Sequence, residues 1–197
     1  MAGTFGALVR AGGVNYILSN NHVLADENQL PIGSAIFQPG LLDGGHNPQD
    51  KIAELSKFIR LKSGVANKVD CAIGKLIPQN IAIRDILYIG PPQGTAVAAI
   101  DMIVHKFGRT TGYRAGRIIS VDTDVKVGYE TGTYLFANQI IIHGLNSQPF
   151  SAAGDSGSLI LERSTQKAVA LLFAGSQSHT IGNHIQDVLS ALGVVLA

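Results

Sequence analysis

Short apolar runs alternate with polar, turn-forming clusters along most of the chain, and their spacing favours strands over helices. Alternating or continuous Ile/Val-rich runs predict strands over Phe5–Arg10, Val14–Ser19, Gly33–Gln38, Ile52–Phe58, Val69–Leu76 and Thr95–Ile100. The second half adds Ile103–Phe107, Arg117–Val121, Val125–Val127, Leu135–His143, Ser158–Glu162 and Ala168–Phe173. Ala11-Gly12-Gly13, between Val9 and Val14, predicts a hairpin, because two glycines accept the positive φ of a tight primed turn. A helical period is secure only near the end. There Ile185, Val188, Leu189 and Leu192 share one face, Asn183 offers an N-cap with Gln186 three residues on, and Gly193 is placed to stop the helix. Asp85–Gly94, which contains Ile89-Gly90-Pro91-Pro92-Gln93-Gly94, is the predicted linker. It divides the chain into 1–88 and 95–197, each with enough strands for a small barrel.

Composition narrows the class. Hydrophobic residues make up 46% of the 197, which excludes intrinsic disorder. Fifteen Lys and Arg against 14 Asp and Glu leave +1, which argues against nucleic acid or an anionic membrane as partner. The 23 glycines lie in no collagen period or linker run and predict many tight turns. Cys71 is the single cysteine, so no intramolecular disulfide and no multi-cysteine metal site is available. No apolar run approaches the roughly 20 residues of a membrane helix. Met1–Gly6 has neither a basic n-region nor a long apolar h-region, so the expectation is a cytoplasmic protein without a signal peptide.

Gly154-Asp155-Ser156-Gly157 is the sharpest chemical signal. Flanking glycines leave the Ser156 hydroxyl unobstructed and let consecutive N–H groups turn toward one point. A serine hydroxyl needs a base. Of six histidines, His22 stands at the end of an apolar strand in Ser19-Asn20-Asn21-His22-Val23, where a rigid element can hold it. His46 lies in a Gly/Asn/Pro loop, His105 and His143 fall in strands, His184 opens the last helix, and His179 follows the penultimate strand. Asp70 opens an otherwise apolar segment, where a charge is costly unless paired.

In this order His22, Asp70 and Ser156 resemble the triad of the chymotrypsin/trypsin-like serine proteases. Leu18-Ser19-Asn20-Asn21-His22-Val23 is similar to the bacterial "LTNNHV" histidine block, and Val69–Ile73 to the aspartate block. Gly108-Arg109-Thr110-Thr111-Gly112-Tyr113 is similar to the GRTTGY segment of the α-lytic type. Secreted relatives of that type carry paired cysteines where this chain has His105 and Ala115, and Ser158 stands where a glycine is usual.

The resemblance implies an all-β fold of two antiparallel Greek-key β-barrels, with a C-terminal α-helix packed on the second. It implies peptide-bond hydrolysis by Ser156, with His22 as base, Asp70 as its orienting carboxylate and the N–H groups of Gly154 and Ser156 as oxyanion hole. Asp155 turns inward in such folds, and Lys106 or Arg109 is the expected cation, since the chain begins too near its first strand for a buried N-terminus to be an obvious one. The substrate pocket is expected from Phe150, Ala153, Ala174, Gly175 and His179. A peptide or protein is the expected partner, with no metal or organic cofactor, and further domains outside this chain remain open. The competing readings are a protease-fold binding module without turnover and a serine esterase.

Overall fold

The computed structural model describes residues 2–197. The chain runs β1 (Ala7–Ala11), β2 (Val14–Ser19), α1 (Asn21–Leu24), β3 (Ala35–Phe37), β4 (Lys51–Phe58), β5 (Ala66–Asn67) and β6 (Ala72–Leu76). After a long irregular crossing come β7 (Ile103–Gly108), β8 (Gly112–Tyr129), β9 (Gly132–Gly144), β10 (Leu159–Glu162), β11 (Ala168–Gly175), β12 (Thr180–His184), α2 (Ile185–Leu192) and β13 (Val195–Leu196). The predicted first hairpin forms as expected. Ala11 pairs with Val14 across Gly12 and Gly13, whose φ values are 54° and 79°.

Two sheets result. The first has the order β13-β1-β2-β6-β4-β3. In the second, β12-β11-β10-β7-β8-β9 close on themselves because β12 also pairs with β9, which removes the exposed edges of an open sheet. The sheets exchange their outermost strands. β5, from the first half, joins β9 in parallel, and β13, from the end of the second, joins β1.

Three expectations are corrected. Thr95–Ile100 is no strand: it crosses β11 through Thr95 and Ala96 at Ala168 and leaves Val97 and Ile100 exposed. Arg117–Val121 and Val125–Val127 are parts of one strand, β8, because register shifts absorb the polar Asp122–Asp124 stretch without breaking the ladder. Asn183 belongs to β12 and does not cap α2; His184 is the N-cap residue, while Gly193, at φ 74°, ends the helix as expected.

The core explains where the halves meet. Ile185, Val188 and Leu192 of α2 pack with Ala7, Val9, Leu18 and Ile73 of the first sheet and with Leu159, Leu161 and Leu171 of the second. The helix is therefore wedged between both sheets as well as lying on the second. Burying these side chains stabilises by about 1.5–3 kcal/mol each, so the relative placement of the halves is set by a shared core. No helix among the described residues is long and apolar enough to cross a membrane.

Candidate active site

His22 sits in α1, a single turn entered directly from β2. Asn20 and Asn21 tie that reversal down. Both are fully buried, and their short amides bond carbonyls of neighbouring segments: Asn20 Nδ2 donates to the Asp70 carbonyl at 2.8 Å, and Asn21 Nδ2 to that of Ile59 at 2.7 Å. The imidazole is thus mounted on a fixed base.

Asp70 is fully buried. Its Oδ2 accepts from His22 Nδ1 at 2.6 Å and from the Tyr129 hydroxyl at 2.7 Å, and its Oδ1 accepts the His22 backbone N–H at 3.2 Å. A carboxylate only accepts, so it selects the tautomer with the proton on Nδ1 and leaves Nε2 as an acceptor. Asn183 Oδ1 accepts the Asp70 backbone N–H at 2.9 Å, which is why this residue is unavailable to the helix.

Tyr129 comes from the tip of the long β8–β9 hairpin. Burial and the facing Asp70 charge push its phenol far above its ordinary value, so the hydroxyl stays protonated and donates. Glu27 anchors the same tip. Asp26, Glu27 and Asn28 all adopt left-handed backbone, at φ 47°, 56° and 75°, strain of about 1 kcal/mol or more at each. The turn brings the Glu27 carboxylate to the Glu130 N–H (3.1 Å), the Thr131 N–H (2.7 Å) and the Thr131 hydroxyl (2.7 Å). Burial would raise its pKa, but the Thr131 and Glu130 donors and nearby His22 outweigh that and hold the carboxyl below the ordinary range.

Ser156 is half-buried in the tight turn before β10. Its hydroxyl faces the Phe173 carbonyl at 3.5 Å, too long to hold it, and is not hydrogen-bonded to His22. His22, Glu27, Tyr129, Phe173 and Gly175 line a cleft of about 430 Å³, and the Ser156 hydroxyl faces the carbonyl of one of its lining residues, Phe173. Neither the Gly154 nor the Ser156 N–H donates to any group among the described residues.

Behind the turn, Asp155 and Lys106 are fully buried and paired at 3.0 Å. Asp155 also accepts from the N–H groups of Thr110 (2.8 Å), Thr111 (3.1 Å) and Ala152 (3.0 Å) and from the Thr111 hydroxyl (2.6 Å). Burial raises its pKa, yet these donors win and the carboxyl titrates below the ordinary range. Gly108 makes room, since a Cβ there would lie 2.5 Å from Asp155 Oδ1. Arg109, the other candidate cation, instead pairs with Asp43 of the first half.

The candidate pocket residues do not all meet. Phe150 packs with Ile118, Ile140 and Ile142 in the core of the second sheet. Behind Gly175, where a Cβ would lie 3.3 Å from Ser151 Oγ, the Ser151 and Thr180 hydroxyls bond at 2.6 Å. Ala153 is exposed and Ala174 half-buried. His179 is exposed and stacks on His143 with centroids 4.8 Å apart. Sequence reasoning missed Tyr129, Glu27 and Asn183. Only the buried-charge argument used for Asp70 hinted that more donors were needed.

No protein-family model matches the sequence, and no curated protein is significantly similar to it. Solved structures are. Protease A of Thermobifida fusca superposes with a TM-score of 0.68 at 19% identity, covering 99% of this chain and 91% of that one. The chymotrypsin of Cellulomonas bogoriensis gives 0.64 at 19% identity, with 98% and 89% covered. A glutamic-acid-specific serine protease that uses a histidine triad in substrate binding gives 0.63 at 20%, with 97% and 91% covered. The chain thus has the chymotrypsin-like fold of the bacterial serine proteases, with a C-terminal helix.

Proposed function

We propose that the chain is a serine endopeptidase working through an acyl-enzyme. The observation that carries this reading is the buried His22–Asp70 pair, which leaves imidazole Nε2 free to accept a proton in a cleft that Phe173, the carbonyl partner of Ser156, also lines. In this scheme Ser156 Oγ attacks the scissile carbonyl carbon while its proton passes to His22 Nε2. Asp70 stabilises the imidazolium, and the free N–H groups of Gly154 and Ser156 hold the developing oxyanion. His22 then gives that proton to the leaving amine, and a water molecule repeats the sequence to release the acid. The 3.5 Å contact with the Phe173 carbonyl is too weak to hold the Ser156 hydroxyl in its resting orientation.

In this reading Ser151–Ala153 and Ala174–Gly175 wall the specificity pocket, and the Ser151–Thr180 hydroxyl pair, with Phe150 packed into the core of the second sheet, supports an inner end made by hydroxyls and not by Phe150. No carboxylate stands there to pair with Lys or Arg. A small or medium uncharged side chain is the substrate class, with His179, stacked on His143, a group able to favour an acidic one.

The resting orientation of Ser156 also favours a second reading, a peptide-binding module without turnover. One experiment separates them. A fluorophosphonate probe is expected to label the parent and not Ser156→Ala, and a peptide library is expected to be cut after small or medium residues. An unlabelled parent removes the enzymatic reading, labelling with ester but no peptide cleavage makes it an esterase, and strong selection for Lys or Arg removes the pocket. Selection for Glu or Asp that is lost in His179→Ala assigns recognition to His179.

A further inference from the structure

The two free N–H groups of the Ser156 turn point where they do because every carbonyl between them is held. A peptide unit is planar and trans, so its C=O and N–H point in opposite directions, and fixing one aims the other. The Ala153 carbonyl accepts from the Thr110 hydroxyl at 2.7 Å, which aims the Gly154 N–H. The Asp155 carbonyl accepts from Ser158, through Oγ at 2.6 Å and N–H at 3.0 Å, which aims the Ser156 N–H.

The two peptide units that alternate with these are held by one residue, Thr4. Its hydroxyl donates to the Gly154 carbonyl at 3.0 Å, and its N–H donates to the Ser156 carbonyl at 2.8 Å. The opposite ends of those peptides are then satisfied inside the fold, with the Asp155 N–H on the Ala152 carbonyl at 3.0 Å and the Gly157 N–H on the Leu172 carbonyl at 2.8 Å. Thr4 is itself fixed. Its carbonyl accepts from the Ser19 hydroxyl at 2.9 Å, three residues before His22, and its hydroxyl accepts the Arg109 N–H at 3.0 Å. Every polar atom of Thr4 is used, and together they join the serine turn, the histidine strand and the segment that carries Thr110 and Thr111. The approach is close on both sides: a Cβ on Gly3 would lie 3.0 Å from the Ser156 carbonyl, and one on Gly6 would lie 2.0 Å from that of Gly157.

We infer that Thr4 is a positioning residue for the oxyanion hole, a clamp that keeps the Gly154 and Ser156 N–H groups aimed at the substrate by holding the carbonyls on either side of Ser156. This rests on the serine-protease reading of the site. A hole built this way is set before substrate arrives, so no reorganisation accompanies the chemical step. Valine matches threonine in shape and lacks the hydroxyl. Thr4→Val therefore releases the Gly154 carbonyl and the Arg109 N–H, while the Asp155 N–H bond to Ala152 and the backbone bond to Ser156 persist.

Hydrolysis of p-nitrophenyl acetate by the parent, Thr4→Val and Thr4→Ser is the test. Removing one donor from such a hole costs roughly 10²–10³ in kcat, and a loosened donor is expected to cost about ten- to a hundredfold. That loss is expected in kcat with KM unchanged, at an unaltered midpoint of the acid limb of the pH profile, and Thr4→Ser is expected to stay within about threefold of the parent. Phenylboronic acid, whose tetrahedral adduct places an oxygen in the hole, is expected to bind Thr4→Val at least tenfold more weakly. Parent-like kcat in Thr4→Val overturns the inference, as does an equal loss in Thr4→Ser or a rise in KM alone. Should Thr4→Val fail to fold, amide exchange in the parent decides: the Thr4 N–H must be strongly protected, and free exchange there refutes the clamp. A parent inert toward both the ester and a fluorophosphonate points instead to failure of the serine-protease reading itself.

Discussion

A lysine with no solvent contact survives only if acceptors replace its water, and Lys106 has three: Asp155 at 3.0 Å, the Gly112 carbonyl at 3.1 Å and the Thr111 hydroxyl. Burial lowers its pKa, and the Asp155 carboxylate opposes that and favours the charge. Removing one partner of such a pair is worse than removing both, because the other is left charged in an apolar surround. Lys106→Met is expected to destabilise by about 3–5 kcal/mol, and Lys106→Met with Asp155→Asn to recover part of it, as measured by urea unfolding. The pH dependence follows from Asp155. Its folded value lies below the ordinary carboxylate value, so its contribution is present above about pH 3.9 and is lost as pH falls through the folded value. Lys106→Met removes one of the groups that depress it, so acid destabilisation is expected to begin at higher pH than in the parent. The same onset in both proteins would show that the remaining four donors suffice.

The β8–β9 hairpin is the element that most changes the site. It extends beyond its own sheet, and its tip delivers Tyr129 to Asp70 while Glu27 holds the adjoining turn. Tyr129→Phe removes one of two donors on Asp70 Oδ2 and leaves no new polar group buried, a loss of about 1–1.5 kcal/mol or roughly tenfold in kcat/KM. The loss is expected in kcat, because the hydroxyl holds the carboxylate that orients His22; a loss confined to KM would place the role of Tyr129 in substrate binding. Little of this was readable beforehand. The strand pattern located β1, β2, β4, β7, β9 and β11 closely, because burial, alternating in β1 and β4 and continuous through most of β11, writes itself into residue type. It broke at Asp122–Asp124, where exposed acidic residues on a shifted register look the same as a loop. β5 and β13 have two residues each, too few to carry a period. His22, Asp70 and Ser156 stood out through local context, an apolar strand end or flanking glycines. Tyr129 sits in an ordinary alternating run, and its partner lies 59 positions away, so nothing local marks its hydroxyl.

At the scale of the whole molecule the halves are not independent, since each contributes an edge strand to the other and α2 fills a core that both line. Urea unfolding is therefore expected to be a single transition, with the slowest amides of Ile17 in β2 and Leu171 in β11 exchanging at the same opening free energy. A plateau in which one sheet persists would show that the exchange of strands adds little. The Arg109–Asp43 pair crosses the same boundary but is one-third exposed on both sides, so solvent screens it and it does not decide the outcome.

The pairing of β1 with β13 has a further consequence, for biosynthesis. Arg10 leaves the ribosome before Val195 and must wait for it before its strand has a neighbour on that side. During translation the first sheet carries an open edge, and Ala7 and Val9 lack the α2 side chains that later cover them. The early half then keeps this apolar edge uncovered until α2 and β13 are made, and slowing synthesis gives it no chance to finish alone.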